Sequence, residues 1–214
     1  MLIIPLLFVG GQFVSGQGRG FAVFAPVMVA ALLATSTSQD TSYDGSALWL
    51  HVSTGVRGRD DRLGRVMALY TWAVPVLLAL SIGLFAWTGE WGRAPVLLGL
   101  ATSVLLAGSG VASWVSAVWQ APMPAAGSSP FASSGGASMV GFVAVMVNLA
   151  LTGLVNLPVI ACAVASIWIP ALRWVVPPLA LAVGVIGLQV GLRTGGRRLE
   201  RRWPEVLTAV SARP

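Results

Sequence analysis

Long apolar runs separated by short polar stretches dominate this sequence and constrain its fold more than any other feature. Hydrophobic residues make up 56% of the 214 residues and charged residues only 9%. A soluble domain of this length needs more polar residues to cover its surface. Because a helix needs ~20 mostly apolar residues to cross a bilayer, the runs predict an all-α, polytopic membrane helix bundle.

Six segments are candidates for spanning helices, and together they make residues 1–214 a single transmembrane domain. The first, Leu2–Val14, is short for a span. We interpret it as a clipped or re-entrant span, because neither a basic region nor a convincing cleavage site marks a signal peptide. The others are Phe21–Ser38, Met67–Trp87, Ala94–Val118, Ser138–Ile167, which is expected to tilt or break at Pro158, and Val175–Leu192.

The arginines predict the orientation of the bundle. Alternation of six spans places the loop 39–66, the Pro/Gly-rich loop 120–137 and the tail 193–214 on one side, with most of the thirteen arginines. By the positive-inside bias this side is cytoplasmic. Arginine without any lysine, in a chain rich in Ala, Gly and Val, favours a GC-rich bacterial genome. We therefore expect a multi-pass protein of a bacterial plasma (inner) membrane with both termini in the cytoplasm.

The positive charge does not indicate a nucleic-acid partner. The net charge is +6, but the arginines cluster beside apolar spans, where topology and membrane lipid explain them better than phosphate-backbone binding does.

Small residues recur in the fourth and sixth spans, a pattern that lets helix backbones approach closely. Packing within one bundle is favoured over a dedicated dimer face. The residues are Gly99, Ala101, Ala107, Gly108, Gly110, Gly184, Gly187 and Gly191.

The polar stretch from Asp40 to Arg65 is the densest run of charge between spans. Its residues Thr41, Ser42 and Asp44 are typical helix N-caps, and Gly45–Ser53 then reads as a short cytoplasmic interfacial helix that ends at Gly55.

Four arginines follow this predicted helix and lead into the third span. Asp61 and Arg65 are spaced to pair on one helix face, a contact worth only ~0.3–0.5 kcal/mol. Two interpretations stay open: the charges fix topology and anchor the span, or the short helix docks a cytoplasmic partner.

Two motifs in these loops carry a resemblance to a known family. The run Tyr43-Asp44-Gly45-Ser46-Ala47-Leu48-Trp49-Leu50, followed by Arg57-Gly58-Arg59-Asp60-Asp61-Arg62-Leu63-Gly64-Arg65, resembles the cytoplasmic loop of actinobacterial ABC exporter permeases of the type 2 class. Ser129-Pro130-Phe131-Ala132, followed by Gly135-Gly136, is similar to a later loop of the same permeases. Those proteins have two six-helix halves, and this chain resembles the C-terminal half.

The resemblance implies a cytoplasmic ATP-binding subunit as partner, together with a second permease half or a second copy of the chain. In that family the loop between the second and third spans contacts the ATPase. The implied docking residues are Asp44, Leu48, Trp49 and His51 of a coupling helix, with Arg57, Arg59, Arg62 and Arg65 as its basic flank.

Several chemistries are not supported by the sequence. Without lysine there is no Walker A motif, so ATP hydrolysis would need a separate polypeptide. His51 is the only histidine and Cys162 the only cysteine, which leaves a metal site or a catalytic triad without companion residues. We therefore name no catalytic, cofactor or metal residues and expect no enzyme activity in this chain.

The spans contain almost no ionisable residue, which argues against a proton- or sodium-coupled carrier. Asn148 and Asn156, about two turns apart on the fifth span, are the candidate pathway residues.

The sequence thus predicts the permease component of an ABC-type exporter, with an unspecified substrate. The alternative is a non-transporting membrane scaffold or assembly factor that recruits a cytoplasmic partner or anionic lipid.

Overall fold

The computed structural model describes residues 22–44, 49–120 and 135–211. Side chains are described throughout these ranges except at 43, 52, 135–138 and 207–211. Within the described ranges, all regular secondary structure is helical. The all-α prediction is confirmed. The segment Leu2–Val14, Leu48 and the motif at Ser129 lie outside the described residues. The helices are α1 (Ala25–Ser36), α2 (Asp40–Asp44), α3 (Trp49–Thr54), α4 (Gly58–Thr88), α5 (Ala94–Val115), α6 (Gly135–Val155), α7 (Leu157–Ala165) and α8 (Val176–Ser211).

Three of the helical stretches are long and apolar enough to cross a membrane: Gly58–Thr88, Trp91–Val115 and Val176–Val206. A fourth results if Met139–Val155 and Leu157–Ala165, bent by 54°, form one broken span. Three or four helices could therefore span a membrane, as expected of a membrane protein, although the described residues do not show six spans. The expected break is confirmed: α7 begins beside Pro158, which has no N–H to continue the hydrogen-bond ladder of α6.

Three helices differ in extent from the expected spans, whose membrane boundaries stay predictions. Helix α1 has 12 residues, fewer than the expected span Phe21–Ser38, because the chain tightens into a 3-10 turn at Thr37–Gln39. Helix α4 begins at Gly58 rather than Met67, since acidic residues in its first turn suit a helix N-terminus. Helix α8 continues beyond the expected end of the sixth span at Leu192, through most of the predicted tail, to Ser211, with a kink at Arg202.

Helices α1, α5 and α8 run in the same direction. Val23, just before α1, packs with Leu97 near the start of α5, and Ala34 near the end of α1 lies beside Gly108. In the same way, Gly99 of α5 faces the first residue of α8, Val176. Because residues early in one helix contact residues early in the next, and late residues contact late ones, the three helices are parallel.

Helices α4 and α6 run the opposite way. The first residue of α4, Gly58, lies against Gly196 in the second half of α8. Gln39, beyond the end of α1, donates to the carbonyl of Gly141 early in α6. The main apolar core lies where α1, α4 and α5 meet.

A seam of small residues joins α5 to α8, and we call Gly110, Gly187, Gly191 and Gly195 the glycine seam. A methyl group at Gly191 would overlap the carbonyl of Gly110, and one at Gly195 would overlap the carbonyl of Ser113. The two backbones therefore touch directly, as small residues permit in membranes. This supports the interpretation that they serve packing within the bundle.

We expect Gly191→Ala to destabilise the protein by about 1–3 kcal/mol, because the added methyl forces two backbones apart. The matched control is Gly153→Ala on α6, where an added Cβ meets nothing within 4 Å. The apparent melting temperature in detergent micelles measures both. Equal melting temperatures for the two variants would contradict the packing described here.

Candidate functional site at the polar end

The polar stretch and the second half of α8 meet at one end of the bundle, which we call the polar end. It contains α2, α3, the first two turns of α4, the residues just after α5, and α8 from Gly195 onward. Two short helices therefore lie where three long ones end, and ionisable side chains link them.

Arg62 of α4 is the most deeply buried charged residue described, with 1% of its surface exposed. Its Nη1 donates to the Ser116 hydroxyl at 2.6 Å. Its Nε lies 3.2 Å from Asp61 Oδ2, close enough for Coulomb attraction, but the N–H does not point at that oxygen. A buried guanidinium requires such partners because desolvation is costly. Arg62 therefore fastens the start of α4 to the end of α5.

Asp61 connects Arg62 to the two short helices. Its Oδ1 lies 3.1 Å from Arg65 Nε, which confirms the expected pair, and 3.6 Å from His51 Nε2 of α3. Arg65 also bonds both carboxylate oxygens of Asp44 in α2. The Asp61 carboxylate is only 4% exposed, so solvent screens these interactions weakly. One carboxylate thus pairs with Arg65 of α4, contacts His51 of α3, and is connected to α2 through Arg65.

The predicted capping of the short helix is wrong in part. Thr41 and Ser42 lie within α2, and the Thr41 hydroxyl donates to the Ser116 carbonyl at 2.8 Å instead of capping a helix. The expected helix Gly45–Ser53 is observed as α3, Trp49–Thr54, while 45–48 lie outside the described residues. Its end at Gly55 is confirmed: a positive φ of 66° there favours glycine.

Helix α8 completes the polar end through contacts that the sequence analysis missed. Glu200 Oε1 accepts a hydrogen bond from the Gly58 amide at 2.8 Å, which satisfies a free N–H at the start of α4. The Trp203 ring stacks on His51, with centroids 6.3 Å apart and planes at 11°. Buried Leu199, Trp203 and Val206 recur every three to four residues, and this helical periodicity was the available signal.

The proposed docking residues that the structure describes fall into an exposed group and a group that is buried or partly buried. Trp49 is 54% exposed, its neighbour Leu50 is 50% exposed, and Arg57 and Arg59 also face outward. Arg62 is covered by the protein's own helices in this conformation. Asp44, His51 and Arg65 are partly buried and, with Arg62, form the contacts that join α2, α3 and α4. Docking itself stays a prediction.

Asp40, the first residue of α2, shares this environment. Burial raises its pKa from 3.8 to about 6, an effect that the nearby Arg65 and Arg62 only partly oppose. Asp44 and Asp61 raise it further through like charge. Asp40 therefore gains or loses its charge close to neutral pH.

The candidate pathway residues lie elsewhere, in the interior of the bundle. Asn148 and Asn156 are both fully buried. Asn148 Nδ2 donates to the Thr35 hydroxyl of α1 at 3.0 Å, and Asn156 Nδ2 donates to the Thr152 carbonyl at 2.8 Å. The side-chain carbonyl oxygens of both asparagines have no hydrogen-bond partner in the structure.

Neither a protein-family model, nor a curated protein, nor a solved structure matches the chain significantly. The resemblance to ABC exporter permeases therefore rests on the two sequence motifs and stays a prediction. Within the described ranges, no group of three or more His, Cys, Asp or Glu side chains is arranged to hold a metal ion.

Arg62→Met is expected to destabilise the protein by about 3–5 kcal/mol, because it leaves Asp61 buried with one fewer cation. Arg59→Met is the control, since Arg59 lies on the same helix with its side chain in solvent. Thermal unfolding of both purified variants measures the difference. A loss of similar size in the two variants would mean that the burial of Arg62 is not structurally important.

Asp40→Asn should remove a pH dependence of stability. Because the folded-state pKa of Asp40 is raised to about 6, its contribution is most favourable below pH 3.8 and is lost as the pH rises through 6. The asparagine variant should therefore be more stable than the native chain at pH 8 and gain less on acidification. Melting temperatures measured from pH 4.5 to 8 test this, and parallel curves for the two proteins would refute it.

Proposed function

We propose that this chain is the transmembrane permease component of an ABC-type exporter, in which a separate ATPase subunit binds and hydrolyses ATP. The observation that carries the proposal is the exposure of α3 together with its contacts to two long helices. This short helix exposes Trp49 at the end of the bundle, while its neighbour His51 contacts both Asp61 and Trp203. A surface helix held at its base by two long helices is suited to transmit a partner's movement.

The contacts of α3 lead into two of the long helices at the polar end, α4 and α8. Through His51 it reaches Asp61 at the start of α4, and through the same ring it reaches Trp203 of α8. Because α8 is joined to α5 by the glycine seam, displacement of α3 would act on the bundle as a whole. These contacts support a coupling role beyond what exposed residues alone would indicate.

The charge distribution supports a cytoplasmic position for the polar end. Arginines concentrate at residues 57–65 and 193–202 there, whereas Arg93 and Arg173 lie at the opposite end of the long helices. By the positive-inside bias, the proposed protein is multi-pass in a bacterial inner membrane, with the polar end facing the ATPase. A second permease half or a second copy would complete the transporter.

The arginines of α8 favour a second candidate function, that of a scaffold recruiting a partner or anionic lipid. Arg193, Arg197, Arg198 and Arg201 are exposed on the side of α8 opposite Leu199 and Trp203. Such a face attracts negative charge without any need for ATP. The scaffold predicts binding without ATP-dependent flux, so reconstituted transport separates the two functions.

Trp49→Ser is expected to weaken binding of the candidate ATPase by at least ~30-fold and to abolish its stimulation, because exposed aromatic anchors dominate interface energies at ~2 kcal/mol or more. Trp174→Ser is the matched control, since Trp174 is 74% exposed at the opposite end of the bundle. Co-purification and ATPase assays measure both effects. Unchanged binding and stimulation in Trp49→Ser would refute the coupling assignment.

A further inference from the structure

Three polar residues form a continuous face on α6 and at its break. Asn148, Thr152 and Asn156 are spaced four residues apart, so they lie on one side of the helix over about 12 Å. They are 0%, 5% and 0% exposed. We call them the polar face of α6. Phe142 and Leu154 lie outside this face, are 60% and 61% exposed, and are the positions expected to face lipid.

Each residue of the polar face has a buried oxygen without a hydrogen-bond partner. These atoms are Asn148 Oδ1, Thr152 Oγ1 and Asn156 Oδ1. Buried polar atoms in folded proteins are nearly always paired, so three in one row need a physical reason. In a bilayer the requirement is stricter, because lipid offers no hydrogen bonds.

The position of the polar face along the bundle adds a second observation. Near the polar end, Gly141 of α6 accepts a hydrogen bond from Gln39, and near the opposite end, Val159 of α7 packs on Val176. The polar face lies between these levels and ends at the 54° bend between α6 and α7. Discontinuous helices near the middle of a membrane are where membrane transporters commonly place substrate sites.

The surroundings of the polar face are closely packed. A methyl group at Gly108 of α5 would lie 2.8 Å from Ala34 Cβ and 3.4 Å from Thr152 Oγ1. This leaves little room for water between α1, α5 and α6. Hydrogen-bond partners could reach the three oxygens if α6 moved away from α1 and α5.

Helix α6 is better placed to move than α8. The glycine seam brings the backbones of α5 and α8 into direct contact, whereas α6 meets its neighbours through side chains and faces lipid on its other side. A two-state rearrangement would then separate a fixed pair, α5 and α8, from a mobile α6–α7 unit.

We propose that the polar face of α6 lines a water-filled path that opens between α6 and the pair of α1 and α5, and that this path accepts uncharged or cationic hydrogen-bond donors in preference to anions. The proposal rests on the proposed function and adds a substrate class to it. Two of the free atoms are amide oxygens, which only accept hydrogen bonds, and the third is a hydroxyl oxygen. The two amide oxygens disfavour carboxylates and phosphates and suit hydroxyl, amide or ammonium groups, and the Thr152 hydroxyl can accept from the same groups.

Cysteine labelling of the full chain in lipid nanodiscs tests the path. The background is Cys162→Ala, which removes the only native cysteine. Asn148→Cys, Thr152→Cys and Asn156→Cys are labelled with a cationic methanethiosulfonate reagent, and Phe142→Cys and Leu154→Cys serve as lipid-facing controls. Because the thiolate is the reacting species and forms only in water, we expect the first three to react at least ~10-fold faster than the controls. Labelling as slow as in the controls would overturn the proposal.

An anionic methanethiosulfonate reagent tests the charge preference. After each rate is divided by the rate of the same reagent with a free thiol in water, the cationic reagent should react faster at all three positions. Equal or inverted preference would overturn the assignment of the substrate class. Thr152→Cys changes the side-chain volume least, so it decides the outcome if an asparagine variant fails to purify as a single species.

The outcome also separates this proposal from the proposed function. Slow labelling together with loss of ATPase coupling in Trp49→Ser would leave the exporter standing and remove the path. Fast labelling of a chain that neither binds nor stimulates an ATPase would keep a hydrated path and remove the exporter.

Discussion

The carboxylate of Asp61 is the group on which the arrangement of the polar end depends. It lies within 3.1–3.6 Å of side chains from two helices, Arg65 and Arg62 of α4 and His51 of α3. A buried cation such as Arg62 is tolerated only beside a compensating charge, so the carboxylate also permits α4 to start against Ser116. The two short helices are therefore part of the packed structure, even though the sequence places them in a loop.

Two kinds of helix contact occur in the bundle. The glycine seam holds α5 and α8 together by direct backbone contact, with no side chains between them. Helix α6 instead presents Asn148 and Asn156 to the interior, each with an unpaired oxygen, and is broken beside Pro158. A closely packed pair of helices thus lies next to a bent helix with buried polar side chains. Helix α3 contacts this pair, because the His51 ring stacks on Trp203 of α8.

The sequence was informative wherever the determining interaction is local. Apolar length predicted the long helices, Pro158 predicted the break, and the spacing of Asp61 and Arg65 predicted their ion pair. Contacts between distant residues were not predictable: Thr41 meets Ser116 across 75 positions, and Gly58 meets Glu200 across 142. For the same reason Arg62, which resembles its exposed neighbour Arg59 in sequence, was assigned to the surface. Its burial depends on Ser116, which periodicity within α4 does not reveal.

Hydrogen exchange of α3 tests most directly whether Asp61 holds this helix to the bundle. The variant is Asp61→Asn, and its control is Asp60→Asn, one residue away with an exposed side chain. We predict that the amides of Trp49–Thr54 exchange at least ~10-fold faster in Asp61→Asn than in the native chain, and that the exchange of α5 amides is unchanged. Without the carboxylate, α3 can open by itself, without unfolding of the rest of the bundle. Unchanged exchange of α3, or equal acceleration in Asp60→Asn, would contradict the account.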